Sequence, residues 1–102
     1  MVLLVTLAAT DADSAEHAAH ALDTYLETLL DKGLLAFRIG HDMADRSRIV
    51  LIEEWTSDDA HAATTKTPSF AEMQRALTPL LAAPPSSANY EIVAAGFADD
   101  DD

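Results

Sequence analysis

The run from Arg48 to Thr56 reads R-I-V-L-I-E-E-W-T. Its apolar residues occupy alternate positions on two sides, as in a β-strand. Ile49, Leu51, Glu53 and Trp55 share one face; Val50, Ile52 and Glu54 share the other. Both faces carry apolar residues, so something must lie against each. The run ends on the chain's single tryptophan. Ser57-Asp58-Asp59-Ala60-His61 follows as a helix start, with Ser57 as N-cap and acids in the first turn. A large aromatic delivered to a strand end beside a helix start is a natural wall for a small-molecule pocket.

Upstream, Leu34 to His41 also alternates. Leu35, Phe37, Ile39 and His41 are expected on one face, and Ala36, Arg38 and Gly40 on the other. Asp42 to Ser47 is a polar turn, so the two strands form a hairpin. Before them, Ala15 to Leu30 has helical spacing, with Ala18, Leu22, Leu26 and Leu29 in one stripe flanked by Tyr25 and Leu30. Asp13 or Ser14 is the expected N-cap, and Gly33 suits the left-handed position past the helix end. Val2 to Ala9 is a nearly continuous apolar strand, expected to be buried on both faces. It lacks the basic flank of a signal peptide, and its apolar run is only about the minimum length.

Downstream, a short helix runs from Asp58 to about Thr65 and stops before Thr67-Pro68. A longer one runs from Pro68 or Ser69 to Leu81, with Phe70, Met73, Leu77 and Leu80 or Leu81 as its stripe. Pro79 should bend it or end its regular part. Ala82 to Ser87 reads as an extended loop and Asn89 to Ala95 as the last strand, with Tyr90, Ile92 and Ala94 on one face. The order is β-α-β-β-α-β, an α+β ferredoxin-like arrangement with a four-stranded antiparallel sheet and helices on one face. The other face keeps apolar residues, and a second copy of the chain is its simplest cover. One domain over residues 1–97 and an acidic disordered tail over 98–102 are expected.

Composition excludes several classes. Eighteen acidic residues against six Lys and Arg give a net charge of −12. Nucleic acid and anionic membrane surfaces are therefore poor partners. Cysteine is absent, which rules out disulfides, thiolate nucleophiles and sulfur-ligated metals and fits a cytoplasmic location. No run approaches the roughly 18 apolar residues of a spanning helix. No Gly-rich phosphate loop and no H-E-x-x-H motif is present, and no cofactor or metal is expected.

The blocks G-L-L-A-F (from Gly33), V-L-I-E-E-W-T-S-D-D-A (from Val50), P-S-F (from Pro68), L-L-A-A-P-P (from Leu80) and Y-E-I-V (from Tyr90) resemble the antibiotic biosynthesis monooxygenase family of the dimeric α/β barrel superfamily. The resemblance implies a homodimer whose sheets pack face to face into a barrel. It implies a small, apolar or aromatic, often polyketide-like ligand between helices and sheet. Some members oxygenate such a ligand with O₂ and no metal, flavin or haem.

That chemistry needs an apolar pocket, a base near an acidic proton and donors for a developing oxyanion. His61 and Glu53 are the candidate catalytic residues; Trp55, Phe37, Thr64, Leu51 and Phe70 are the candidate substrate-binding residues. The blander alternatives are a core Trp55, a surface or satisfied core His61, and a Glu53 paired with Arg38 or Arg48 across the hairpin or the dimer. Many family members carry a histidine where this chain has Thr64, and another where it has Ser69. His61 lies one helical turn before Thr64, and the imidazole has on this reading moved to that turn. His41 is expected to be exposed at the hairpin end, and His17 and His20 to lie on a solvated face. Three readings stay open: a cofactor-independent monooxygenase, a non-catalytic or stress-associated small-molecule binder, and a haem protein. Haem-degrading relatives use an asparagine on the first strand, and V-L-L-V-T-L-A-A has none.

Overall fold

The structure is a computed structural model that describes residues 1–98. The acidic run Asp99 to Asp102 of the expected tail lies outside the described residues. Four strands, β1 (Val2–Ala8), β2 (Leu34–His41), β3 (Arg48–Trp55) and β4 (Ser86–Tyr90), form one antiparallel sheet in the order β2-β3-β1-β4. Helices α1 (Ala12–Glu27), α2 (Asp58–Thr64) and α3 (Pro68–Leu77) lie on one side. This is the ferredoxin-like fold read from the sequence.

The sheet's helix-side face holds the core. Leu3 and Leu7 of β1, Leu34 of β2 and Ile49, Leu51 and Trp55 of β3 are all buried. All but Leu3 form one cluster with Ala15, Ala18, Leu22 and Leu26 of α1 and Leu77 of α3. The four α1 residues form the apolar stripe that the spacing predicts. No described helix lies on the opposite face. Leu4 pairs across the sheet with Ile52 there, and Thr6 with Val50. Ile52 is 37% exposed and Tyr90 52%. The expectation that β1 is buried on both faces therefore fails within one chain: Thr6 is exposed and Leu4 only half-buried.

Local sequence explains most element ends. Ser57 caps α2, accepting from the Ala60 amide at 3.1 Å, and Thr67 caps α3, accepting from the Phe70 amide at 3.3 Å. Pro68 opens α3, where its missing N–H costs nothing. Pro79 ends the regular part of α3, which tightens into a single turn over Thr78–Leu80 instead of continuing to Leu81.

Three boundaries differ from expectation. Helix α1 begins a turn early because Asp11 is the cap: its carboxylate accepts from the Ser14 amide at 2.7 Å. Asp11, Asp13 and Ser14 all have capping chemistry, and the earliest one brings Ala15 inside the helix on its buried side. The helix also ends at Glu27, where the Thr28 hydroxyl donates to the Tyr25 carbonyl at 2.6 Å. Leu30 has left the helix and bridges to Leu34. Strand β4 begins at Ser86 and ends at Tyr90, where the expectation was Asn89 to Ala95. Tyr90 lies opposite Val2, the first residue of β1, so the ladder has no partner beyond it; at the other end Ser86 lies opposite Thr6, just after Pro84 and Pro85, which have no N–H to give. Ile92 and Ala94 thus lie beyond the ladder.

Strand β2 carries a bulge. Leu34 pairs with Trp55, and the next residue of β3, Glu54, pairs with Ala36. Leu35 is the extra residue and is 58% exposed. It does not share a face with Phe37, as simple alternation predicts. The bulge turns Leu34 and Phe37 to the same side of the sheet, although three positions separate them.

Candidate active site

Strand β3 delivers Leu51, Glu53 and Trp55 to the helix side of the sheet by its two-residue period. The Trp55 end is held tightly. The Trp55 amide donates to the Met1 carbonyl at 2.8 Å, and the Thr56 amide to the Gly33 carbonyl at 2.9 Å. Gly33 has φ +103°, and a side chain there would meet the Ala60 Cβ at 3.0 Å and the Trp55 ring at 3.6 Å. A glycine lets the turn, α2 and the indole come this close.

The Ser57 cap then aims α2 so that His61 and Thr64, one turn apart, face back toward β3. A cavity of about 330 Å³ lies between the sheet and the three helices. Leu51, Glu53, Trp55, His61, Thr64 and Phe70 all line it. Tyr25, Leu22 and Leu29 of α1 and Met73 of α3 complete much of the wall. No lysine or arginine is among its lining residues.

Glu53 and Trp55 form the polar centre. The indole Nε1–H donates to a Glu53 carboxylate oxygen at 2.7 Å, and both residues are buried, at 7% and 2% exposure. Within the chain, neither Arg38 nor Arg48 neutralises this carboxylate. Arg38 lies opposite Ile52, on the other face, and Arg48 reaches Asp45 at 3.8 Å. Burial pushes the Glu53 pKa up, and the indole hydrogen bond only partly offsets it. The His61 ring lies against the indole, with ring centroids 5.2 Å apart and planes at 60°. Burial lowers its pKa and Asp58 opposes the shift, so imidazole is neutral at pH 7. The Thr64 hydroxyl donates to the Ala60 carbonyl at 3.1 Å, within its own helix.

Two expected placements need correction. Phe37 does not line this cavity. It sits in a separate shallow depression with Ala19, His20, Asp23, Ile39 and His41. It lies opposite Glu53 in register, but β2 is an edge strand, and the α1 residues beside Phe37 are Ala19, His20 and Asp23, whereas Leu22, Tyr25 and Leu29 line the cavity. His41 is half-buried, not exposed, and its Nδ1 is buried without a hydrogen-bond partner. It shares the Phe37 and Ile39 face, so α1 partly covers it. His17 and His20 are exposed as expected. No group of three metal-ligating side chains occurs among the described residues. Tyr25 was legible only as a flank of the α1 stripe; its place in the wall depends on how α3 packs against α1.

Residues 1–76 match the sequence model of a family described as antibiotic biosynthesis monooxygenase. No curated protein matches the chain. Among solved structures, a candidate antibiotic biosynthesis monooxygenase from Caulobacter crescentus superposes with a TM-score of 0.80 at 17% identity, over 91% of this chain and 89% of that one. One from Nitrosomonas europaea gives 0.78 at 20% identity, over 90% and 89%. One from Chloroflexus aurantiacus gives 0.75 at 22%, over 93% and 95%. At these identities the likeness is one of fold.

Proposed function

Since this chain belongs to the antibiotic biosynthesis monooxygenase family, we propose that it is a cofactor-independent monooxygenase of a small aromatic, quinone-type or polyketide-like metabolite. The observation that carries this reading is a largely apolar cavity with one buried carboxylate, Glu53, hydrogen-bonded by the Trp55 indole. A carboxylate with a raised pKa and no cationic partner is a stronger base than one in water. It takes the acidic proton of a benzylic or phenolic substrate. Trp55 stacks on the ring system, and its N–H holds the carboxylate in place. Neutral His61, across the indole, donates an N–H to the oxygen on which charge develops. The resulting anion passes one electron to O₂, the radical pair joins as a hydroperoxide, and loss of water leaves a new carbonyl. The overall change is CH₂ plus O₂ to C=O plus H₂O, which balances without a further reductant.

In this reading the open sheet face, centred on Leu4 and Ile52, packs against a second copy of the chain. No described helix is long and apolar enough to cross a membrane, and we place the reaction in the cytoplasm. One observation favours a binder without turnover: Thr64, where relatives carry a histidine, has its hydroxyl committed to its own helix. Oxygen uptake with anthrone and a hydroquinone panel separates the two readings. We expect one O₂ consumed per anthrone, with the quinone as product. Tight anthrone binding with no uptake would establish the binder instead.

A further inference from the structure

Tyr25 has a hydroxyl that its own fold does not use. It projects from α1 beside Leu22 and Leu26 into the cavity wall, and its ring meets Phe70 edge-on, with centroids 6.4 Å apart and planes at 62°. Its oxygen is buried and has no hydrogen-bond partner. The Thr67 hydroxyl lies near enough to favour the phenolate. Its proton goes to the Thr64 carbonyl at 2.8 Å, its oxygen accepts from the Phe70 amide at 3.3 Å, and no hydrogen bond joins it to Tyr25. A buried hydroxyl left unmet carries a cost in stability. Phenylalanine would fill the same space and make the same ring contact without that cost. A hydroxyl kept at a cost in stability on a cavity wall is explained by a ligand atom that meets it.

The surroundings define that atom. Burial and the nearby Glu53 charge both raise the Tyr25 pKa, so the phenol keeps its proton and serves as a donor. With no lysine or arginine on the wall, an anionic ligand group finds no counter-charge and faces Glu53. A neutral hydroxyl satisfies both partners: it accepts from Tyr25 and donates to Glu53.

We propose that Tyr25 is a positioning residue that, with Glu53, selects ligands carrying a neutral hydroxyl on an aromatic ring. This rests on the reading of the Glu53–Trp55 cavity as the ligand site. The test is calorimetric binding of 1-naphthol and of 1-methylnaphthalene, which has the same shape and no oxygen, to the wild type and to Tyr25→Phe, with thermal unfolding of each free protein. We expect Tyr25→Phe to weaken 1-naphthol about tenfold, to change 1-methylnaphthalene less than twofold, and to leave the free protein at least as heat-stable. Equal effects on both probes, or a clear loss of stability without ligand, would overturn the role of Tyr25 while leaving the cavity reading in place. A wild type that binds neither probe would overturn the cavity reading and this inference with it.

Discussion

Glu53 and Glu54 are neighbours in sequence and opposites in circumstance. Glu53 faces the helices, is 7% exposed and takes a hydrogen bond from Trp55. Glu54 faces the open side, opposite Val2 and Ala36, and is half-buried in the single chain. The same alternation splits the whole of β3. One face closes on its own helices around a cavity with a charge inside it; the other presents Val50 and Ile52 to whatever lies outside. On the function proposed above, one strand serves both chemistry and assembly, and the two-residue period decides which residue serves which.

Neutralising each glutamate in turn gives the widest contrast. We expect Glu53→Gln to lower kcat/KM for anthrone oxidation about a hundredfold, the lower range for loss of a general base, and Glu54→Gln to change it less than twofold. Similar losses in both would break the division between the faces. On the open side, Ile52→Glu puts a charge where Leu4 and Ile52 pair. We expect the dimer dissociation constant to rise several tens of times by light scattering or sedimentation, with the fold retained by circular dichroism. A wild type that is a stable monomer at micromolar concentration would remove the assembly half of the comparison.

Back on the covered side, His61→Ala removes a donor and leaves the base. We expect a drop of about tenfold in kcat/KM, and an unchanged rate would take His61 out of the site. The smallest effect is on stability. The folded Glu53 holds its proton to higher pH than an unfolded glutamate with its ordinary value of 4.5. The folded state therefore binds more protons between 4.5 and the raised value, and stability falls as pH rises through that window. Denaturant titrations should show this slope reduced in Glu53→Gln and unchanged in Glu54→Gln.

Much of this was legible in the residues. The β3 alternation and the Ser57-Asp58-Asp59 helix start mark Trp55 as a candidate pocket wall and put His61 and Thr64 on one helical face. These are local signals, carried by period and capping chemistry. What could not be read depends on partners far along the chain. The end of β4 follows from where β1 begins, and Ser86 and Ser87, coming just after two prolines, looked like loop. The displacement of Phe37 depends on which side of α1 covers the outer strand. Tyr25 became part of the site through Phe70, 45 positions away. Its unmet hydroxyl has no signature in sequence at all.

The Leu35 bulge has a consequence for how this chain can change over generations. Leu35 is exposed and has no strong claim on its side chain, so many residues can stand there. Nor does the face pattern require its presence. Leu34 and Phe37 are three positions apart and share a face only because Leu35 is extra. Deleting it would leave them two positions apart, so regular alternation would keep both toward the helices and Leu34 opposite Trp55. A deletion past the bulge, between Phe37 and His41, has no such buffer and would turn one part of the strand to the other side of the sheet. The chain thus tolerates at the bulge a change of length that it does not tolerate a few residues further along the same strand.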